Sequence, residues 1–299
     1  MARTERPARA NRDPARRRRS DERTGTLILI GGGCSAEGEA LCTFVRMAGA
    51  DDGGRIVGLT TASSDPVASA LAWKRDLAVA GARAVEIPIV DRRARAQEER
   101  IATLVRDADG IFLGGGDQVH LVATLGGSRV GRAIQEAYDR GAVVCGTSAG
   151  AAALTETILA GWEPDDTGVL AEMHIGNGLG LLGFHAMIDT HFAQRRRLHR
   201  LFAAIAANPE HMGLGLDEDT ALVVRGHLGA VIGAGGMTFV DGRGARFNNA
   251  DEMAHGAQLT LSYLRVGIVG NGYVFNLRER ELETLVQSDR KEEETPTIS

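Results

Sequence analysis

The chain has 299 residues, 39 of them glycine, with a formal net charge of −5 and only three cysteines, Cys34, Cys42 and Cys145. That length holds one large α/β domain with a sizeable core, and a sparse, odd cysteine count argues against a disulfide framework. No run approaches the roughly 18 apolar residues of a membrane span, so a membrane protein is excluded as an expectation, and the modest charge singles out no partner class.

Residues 1–23 hold nine arginines, two prolines and almost nothing apolar. Such a segment buries too little surface to offset its ordering entropy, so it reads as a disordered Arg-rich arm. A polyanion such as nucleic acid would suit it; a solubilising tail explains it as well, and nucleic-acid binding is not the expectation. The N-terminus lacks an apolar h-region, which with the free cysteines predicts a cytoplasmic protein.

Residues 26–30 form an apolar strand ending in Gly31-Gly32-Gly33. The spacing is neither a P-loop nor a full G-x-G-x-x-G, so the glycines read as a structural turn rather than a phosphate cradle. A helix follows over 37–48, a strand over 55–61 and the polar loop Thr60–Pro66. Residues 67–80 are amphipathic, 84–90 a third strand, 97–106 a helix and 108–113 a strand running into Gly114-Gly115-Gly116-Asp117-Gln118. Another helix begins over 119–125. Alternating strands and helices predict βαβ units and a mostly parallel sheet covered on both faces, with ligands bound beyond the carboxyl ends of its strands.

The stretch GAVVCGTSAGAAA, residues 141–153, carries an apolar strand over 142–145 into a turn of small residues and an Ala-rich helix reaching residue 160. The turn matches G-x-S-x-G, which holds a serine on a tight strand-to-helix corner with its hydroxyl exposed. Ser148 is therefore the candidate nucleophile. Cys145 reads as a small buried apolar group. Residues 161–183 are Gly-rich and irregular, with Trp162, Glu172 and His174.

Residues 184–189 form a strand, 190–192 a Thr-His-Phe corner and 193–207 a helix. Leu198, Leu201, Phe202 and Ile205 would form its core face, placing Arg196 and Arg200 opposite and Arg195 and Arg197 on the flanks. Residues 213–216 form a short strand entering Asp217-Glu218-Asp219-Thr220. Residues 221–224, 230–232 and 237–240 read as an antiparallel edge with glycine turns, 259–266 as one more strand, and 288–299 as a loose charged tail.

A serine hydroxyl needs a base to take its proton. Of eight histidines, His191 has the best position, following a strand onto the edge that carries Ser148; His120, His174 and His185 are weaker. Asp217, Glu218 and Asp219 supply the carboxylate that would hold the imidazole. Oxyanion donors would be the N–H of Ala149 and one within residues 114–116. Metal hydrolysis fits poorly, for there is no H-E-x-x-H and the cysteines lack zinc spacing; no cofactor is expected.

LILIGGG (27–33), TTASSDP (60–66), FLGGGDQ (112–118), GTSAGA (146–151), DTHF-x-x-R-x-R (189–197) and GLGLDEDTAL (213–222) occur in this order. Together they resemble the cyanophycinases, serine peptidases of the peptidase E-like group. The resemblance covers residues 26–240. It implies a three-layer α/β sandwich of the class I glutamine-amidotransferase-like type and a homodimer; with the antiparallel edge strands above and no linker in between, the chain reads as a single catalytic domain over 24–285 followed by a charged tail over 286–299. It further implies cyanophycin as substrate, a poly-aspartate with arginine on each β-carboxyl group, released as β-Asp-Arg. Carried over, Ser148 is the nucleophile, His191 the base and Glu218 its acid, with Gly115, Gly116 and Ala149 around the oxyanion. Gln118, Asp189, Thr190, Arg195, Arg197 and Arg200 would grip the aspartyl unit, and Asp189 is one candidate for the substrate guanidinium. Alternatives are an aspartyl dipeptidase with the same machinery and a non-catalytic binding protein on the same fold.

Overall fold

Residues 27–30 are apolar without a break because both faces of their strand are covered. Leu27 and Leu29 enter one core and Ile28 and Ile30 the other, as the two-residue period of a strand requires. In the computed structural model, which describes residues 25–161, 174–253 and 258–283, this strand is β1 (Thr26–Ile30). It leads into α1 (Glu39–Met47), β2 (Arg55–Leu59), α2 (Pro66–Val79), β3 (Ala84–Glu86), α3 (Glu99–Arg106) and β4 (Gly110–Leu113). Next come α4 (Gln118–Leu125), α5 (Arg129–Arg140), β5 (Val143–Thr147) and α6 (Ala149–Ala153). The second half holds β6 (Thr157–Gly161), β7 (His174–Asn177), β8 (Ala186–Thr190), α7 (Leu198–Ala207), β9 (Met212–Leu216), β10 (Thr220–Arg225), β11 (Leu228–Gly233) and β12 (Gly236–Asp241). It ends with β13 (Phe247–Asn248), α8 (Ala250–Met253), β14 (Leu261–Ser262), β15 (Arg265–Gly270), β16 (Val274–Asn276) and β17 (Glu281–Leu282).

The main sheet has nine strands in the order β17-β16-β11-β10-β1-β5-β4-β2-β3. From β1 to β3 all neighbours are parallel; from β1 to β17 all are antiparallel. α1 and α2 cover one face through Leu41, Phe44, Val45 and Leu77. The other face packs against α3, α4, α5, α6 and a second sheet of order β15-β12-β9-β8. Beyond that sheet lies α7, whose Leu201 and Ile205 pack with Phe192 and Val240.

Capping fixes the helix starts on the site's edge. Asp65 caps α2 ahead of Pro66, and Asp117 caps α4 by accepting from the N–H of Val119 and His120, satisfying donors that have no partner within the helix.

Several elements differ from expectation. α5 lies over residues to which the sequence reading assigned no element, although Ser128 caps it and Gly141, at φ 112°, ends it. The Ala-rich helix after Ser148 stops at Ala153 instead of 160: the Thr155 hydroxyl donates to the carbonyls of Ala152 and Thr157, and the chain turns into β6, where Ile158 and Leu159 are buried. β6 pairs with β7 inside the stretch read as irregular. The third strand ends at Glu86, not Val90. The antiparallel strands expected as one edge are divided between two sheets: β10 and β11 extend the main sheet from β1, while β12 crosses to pair with β9 and β15. The Arg-rich arm, Trp162, Glu172 and the charged tail lie outside the described residues.

Candidate active site

β1, β2, β4 and β5 end side by side, and their loops form the edge that carries the site. Ser148 sits between β5 and α6 at φ 51°, ψ −118°, a backbone state costing about 1–3 kcal/mol for a side-chain-bearing residue. Its N–H donates to the Ile30 carbonyl at 3.0 Å and its carbonyl accepts from Ala152 N–H at 3.0 Å, so the corner is held from both sides. A Cβ at Gly146 would lie 2.5 Å from the Gly150 carbonyl, and one at Gly150 would strike the Leu113 carbonyl. That is why the turn has glycine on each side of the serine.

His191 follows β8 and Glu218 follows β9, neighbouring parallel strands. Ser148 Oγ lies 3.0 Å from His191 Nε2, and His191 Nδ1 lies 2.6 Å from Glu218 Oε1. The carboxylate assigns the proton to Nδ1, leaving Nε2 to accept from the serine hydroxyl. The His191 side chain is 13 % exposed. Its N–H donates to the Gly31 carbonyl at 2.6 Å.

The three-glycine run of 31–33 therefore has a role beyond a turn. A Cβ on Gly32, at φ 97°, would land on the His191 ring, and one on Gly33 would lie 2.7 Å from Glu218 Oε2. The run is the floor beneath the imidazole and its carboxylate. The bare run of small residues after β1 was its sequence signal, but only the fold says what sits on it.

Of the three neighbouring acids, only Glu218 touches an imidazole; Asp217 and Asp219 accept from backbone N–H groups. The other histidines lie elsewhere: His120 Nε2 meets the Asp91 carbonyl, His185 faces Glu156, and His174 is exposed on β7. Cys145 is fully buried, and burial pushes its thiol well above the usual range, which keeps it inert.

Gly115 runs beside the serine, for a Cβ there would lie 3.7 Å from Ser148 Oγ. The N–H groups of Gly115 and Gly116 donate to no backbone carbonyl among the described residues. Ala149 is the first residue of α6, so its N–H has no partner within that helix. Gly115 and Ala149 thus flank the serine with N–H groups that no backbone carbonyl among the described residues takes, and Gly116 lines the same cavity.

A cavity of about 90 Å³ opens beside Ser148, and Gln118, Asp189, Thr190, Arg195, Arg197 and Arg200 all line it. Gln118 is fixed by donating through Nε2 to the Leu159 carbonyl at 2.7 Å, a contact no local sequence signal shows. Asp189, 2 % exposed, accepts from Arg197 Nη1 at 3.0 Å and the Thr190 N–H at 3.0 Å, and its Oδ2 lies 3.3 Å from Arg200 Nε as an ion pair without hydrogen-bond geometry. Burial raises its carboxyl above the ordinary value against the pull of Arg200 and Arg197, and burial lowers Arg200.

Two expectations change here. Arg200 does not face solvent: it is buried on Asp189, because the helix is covered on more than one face, with Ala203, Ala204 and Ala206 buried as well as Leu201 and Ile205. The helix starts at Leu198 rather than 193, and the preceding residues are turns, with Arg196 at φ 52°. Leu198, assigned to the core face, is the first residue of the helix and is 40 % exposed. Asp189 pairs with two internal arginines, and its Oδ2 accepts no hydrogen bond.

The sequence profile of Peptidase family S51 matches residues 27–232. The cyanophycinase of Synechococcus elongatus is 32 % identical over 268 residues, covering 87 % of this chain and 81 % of that protein. The cyanophycinase of Trichormus variabilis is also 32 % identical, covering 88 % and 89 %. A crystal structure of a peptidase from an acI-B1 Actinobacterium superposes with a TM-score of 0.62 at 22 % identity over 86 % of this chain and 98 % of that one, a likeness of fold. By the span of its family match and the identity it shares with the cyanophycinases, the chain belongs to peptidase family S51.

Proposed function

We propose that this chain is a serine peptidase that degrades cyanophycin to β-Asp-Arg dipeptides, with Ser148, His191 and Glu218 as its catalytic triad. The observation that carries the reading is the hydrogen-bonded line from Ser148 Oγ through both ring nitrogens of His191 to Glu218, at 3.0 and 2.6 Å, beside an arginine-lined cavity.

The chemistry follows from the geometry. Ser148 Oγ attacks the carbonyl carbon of the scissile aspartyl amide while its proton passes to His191 Nε2. Glu218 stabilises the resulting imidazolium through Nδ1–H. The N–H groups of Gly115, Gly116 and Ala149 receive the oxyanion, and losing one such donor typically costs about 10²–10³ in rate. His191 returns the proton to the leaving amine nitrogen as the C–N bond breaks, and water then hydrolyses the acyl-enzyme. Arginine forks at 195, 197 and 200, with Gln118 and Thr190, suit a free carboxylate of the aspartyl unit, because guanidinium groups bind carboxylates in a two-pronged, charge-assisted way. The cavity's polar lining of Gln118, Thr190 and the arginines suits that carboxyl unit.

The same reading includes a class I glutamine-amidotransferase-like sandwich, a catalytic domain over 24–285, a cytoplasmic location and a homodimer. Purified protein incubated with cyanophycin should release β-Asp-Arg, identified by mass, and Ser148→Ala should abolish it. Hydrolysis of Asp-Xaa dipeptides with no attack on the polymer would replace the reading with an aspartyl dipeptidase. Absence of any labelling by serine-directed probes would replace it with a binding protein.

A further inference from the structure

β8 and β9 pair in parallel only as far as Thr190 and Leu216. His191 and Glu218 stand just beyond the end of that ladder, on chain that strand pairing no longer holds. Both loops are also strained: His191 has φ 51° and Asp219 φ 50°. Backbone hydrogen bonds from His191 N–H to the Gly31 carbonyl and from Asp219 N–H to the Gly32 carbonyl tie each loop to the glycine run, but they do not set one loop against the other.

Side chains continue the pairing where the strands stop. Phe192 N–H donates to the Leu216 carbonyl at 3.1 Å. At the next residue, Ala193 N–H donates to Asp217 Oδ1 at 3.0 Å. At the next, Gln194 Oε1 accepts from Glu218 N–H at 3.1 Å. Each loop thus offers one side-chain acceptor to the other's backbone. The second oxygen of Asp217 accepts from Gly236 N–H at 3.1 Å, tying the same turn to the start of β12. The carboxylate is an acceptor only, so it can hold both N–H groups at once.

We propose that Asp217 and Gln194 are positioning residues that keep His191 and Glu218 in register past the end of the β8–β9 ladder. Neither touches the reacting atoms; both act through the imidazole–carboxylate contact. The inference rests on the reading of Ser148, His191 and Glu218 as the catalytic groups.

The test is a set of double-mutant cycles in the full chain, read as dipeptide release from cyanophycin. Gln194 is exposed, so Gln194→Met removes the acceptor without disturbing a core. We expect kcat to fall about 2- to 10-fold, the range of one neutral hydrogen bond, with KM unchanged within about twofold. Gln194→Glu, which keeps an acceptor oxygen, should hold kcat within about twofold. Asp217→Ala should lose about 10- to 100-fold for a charged acceptor, with Asp217→Asn, which keeps one acceptor, in between. In a Glu218→Gln background each loss should shrink to less than half, because the contact being positioned is already impaired. Losses that multiply unchanged in that background, or a rise in KM with kcat intact, would overturn the proposal. Should Asp217→Ala fail to fold, the Gln194 arm decides alone. Turnover surviving Ser148→Ala is a separate result that removes the catalytic assignment, and the positioning role with it.

Discussion

Ser148 Oγ and His191 Nε2 lie 3.0 Å apart although 43 residues separate them in the chain. The two follow strands of different sheets: Ser148 comes directly after β5 of the nine-stranded sheet, and His191 directly after β8 of the four-stranded one. What joins them is the glycine loop after β1, whose Ile30 and Gly31 carbonyls accept from the N–H groups of Ser148 and His191.

That loop gives a first prediction. Gly32→Ala puts a methyl onto the imidazole at a φ that disfavours any side chain. We expect turnover to fall by at least about 10²-fold, the scale of a misplaced catalytic group. Gly49→Ala is the control, with φ 62° but open space; it should lower the melting temperature and leave turnover unchanged. Steady-state kinetics and thermal melts of both variants check this.

Arg195 lines the cavity with no carboxylate partner among the described residues, unlike Arg197 and Arg200, which share Asp189. Its guanidinium is free to meet substrate. Arg195→Met should raise KM about 10- to 100-fold, the worth of one charge-assisted hydrogen bond, and change kcat less. Substrate-saturation curves distinguish the two parameters.

At the far end of the second sheet, Arg280 is 5 % exposed and donates to Asp241 Oδ1 at 2.7 Å and to the carbonyls of His211 and Glu210. Arg280→Met removes one of the two arginines on Asp241, which keeps Arg243, and the donors to two carbonyls; it should destabilise the fold by about 1–3 kcal/mol. Activity at 25 °C should persist, because Met212 begins β9 at this end while the acid turn follows Leu216 at the other. Thermal melts alongside initial rates measure both.

His211 carries a pH prediction. Its Nε2 meets Thr157 Oγ1 at 3.2 Å and its buried Nδ1 has no partner. Burial, then His185 and Arg280, lower its pKa, against a smaller opposing pull from Glu210 and Glu156. A histidine held neutral in the folded state contributes stability above its unfolded pKa of about 6.5, and that stability is lost as pH falls through the folded value. The melting temperature should therefore drop as pH is lowered from about 7 to 5, and His211→Gln should flatten that slope. An unchanged slope in the variant would assign the acid sensitivity to other groups.

Much of this protein was legible in its residues one after another. The apolar runs of β1, β2, β4 and β5, closed by glycine turns after β1, β4 and β5 and by the polar loop 60–66 after β2, predict a parallel sheet with its loops on one edge, because local backbone sterics and the two-residue period of a strand act within a few positions. The same holds for Ser148 between Gly146 and Gly150, and for the position of His191 after a strand. What only the tertiary structure decided is which distant groups meet. Three adjacent acids share one turn, and nothing local distinguishes Glu218 from Asp217 and Asp219; the loop facing each side chain does. Arg200 lies opposite the apolar stripe of its helix, a face that reads as solvated until a second element covers it and brings the buried Asp189 within 3.3 Å. Sequence encodes the corners through short-range sterics, whereas burial, charge pairing and loop register act across strands remote in the chain, and they settle only when the two sheets have packed.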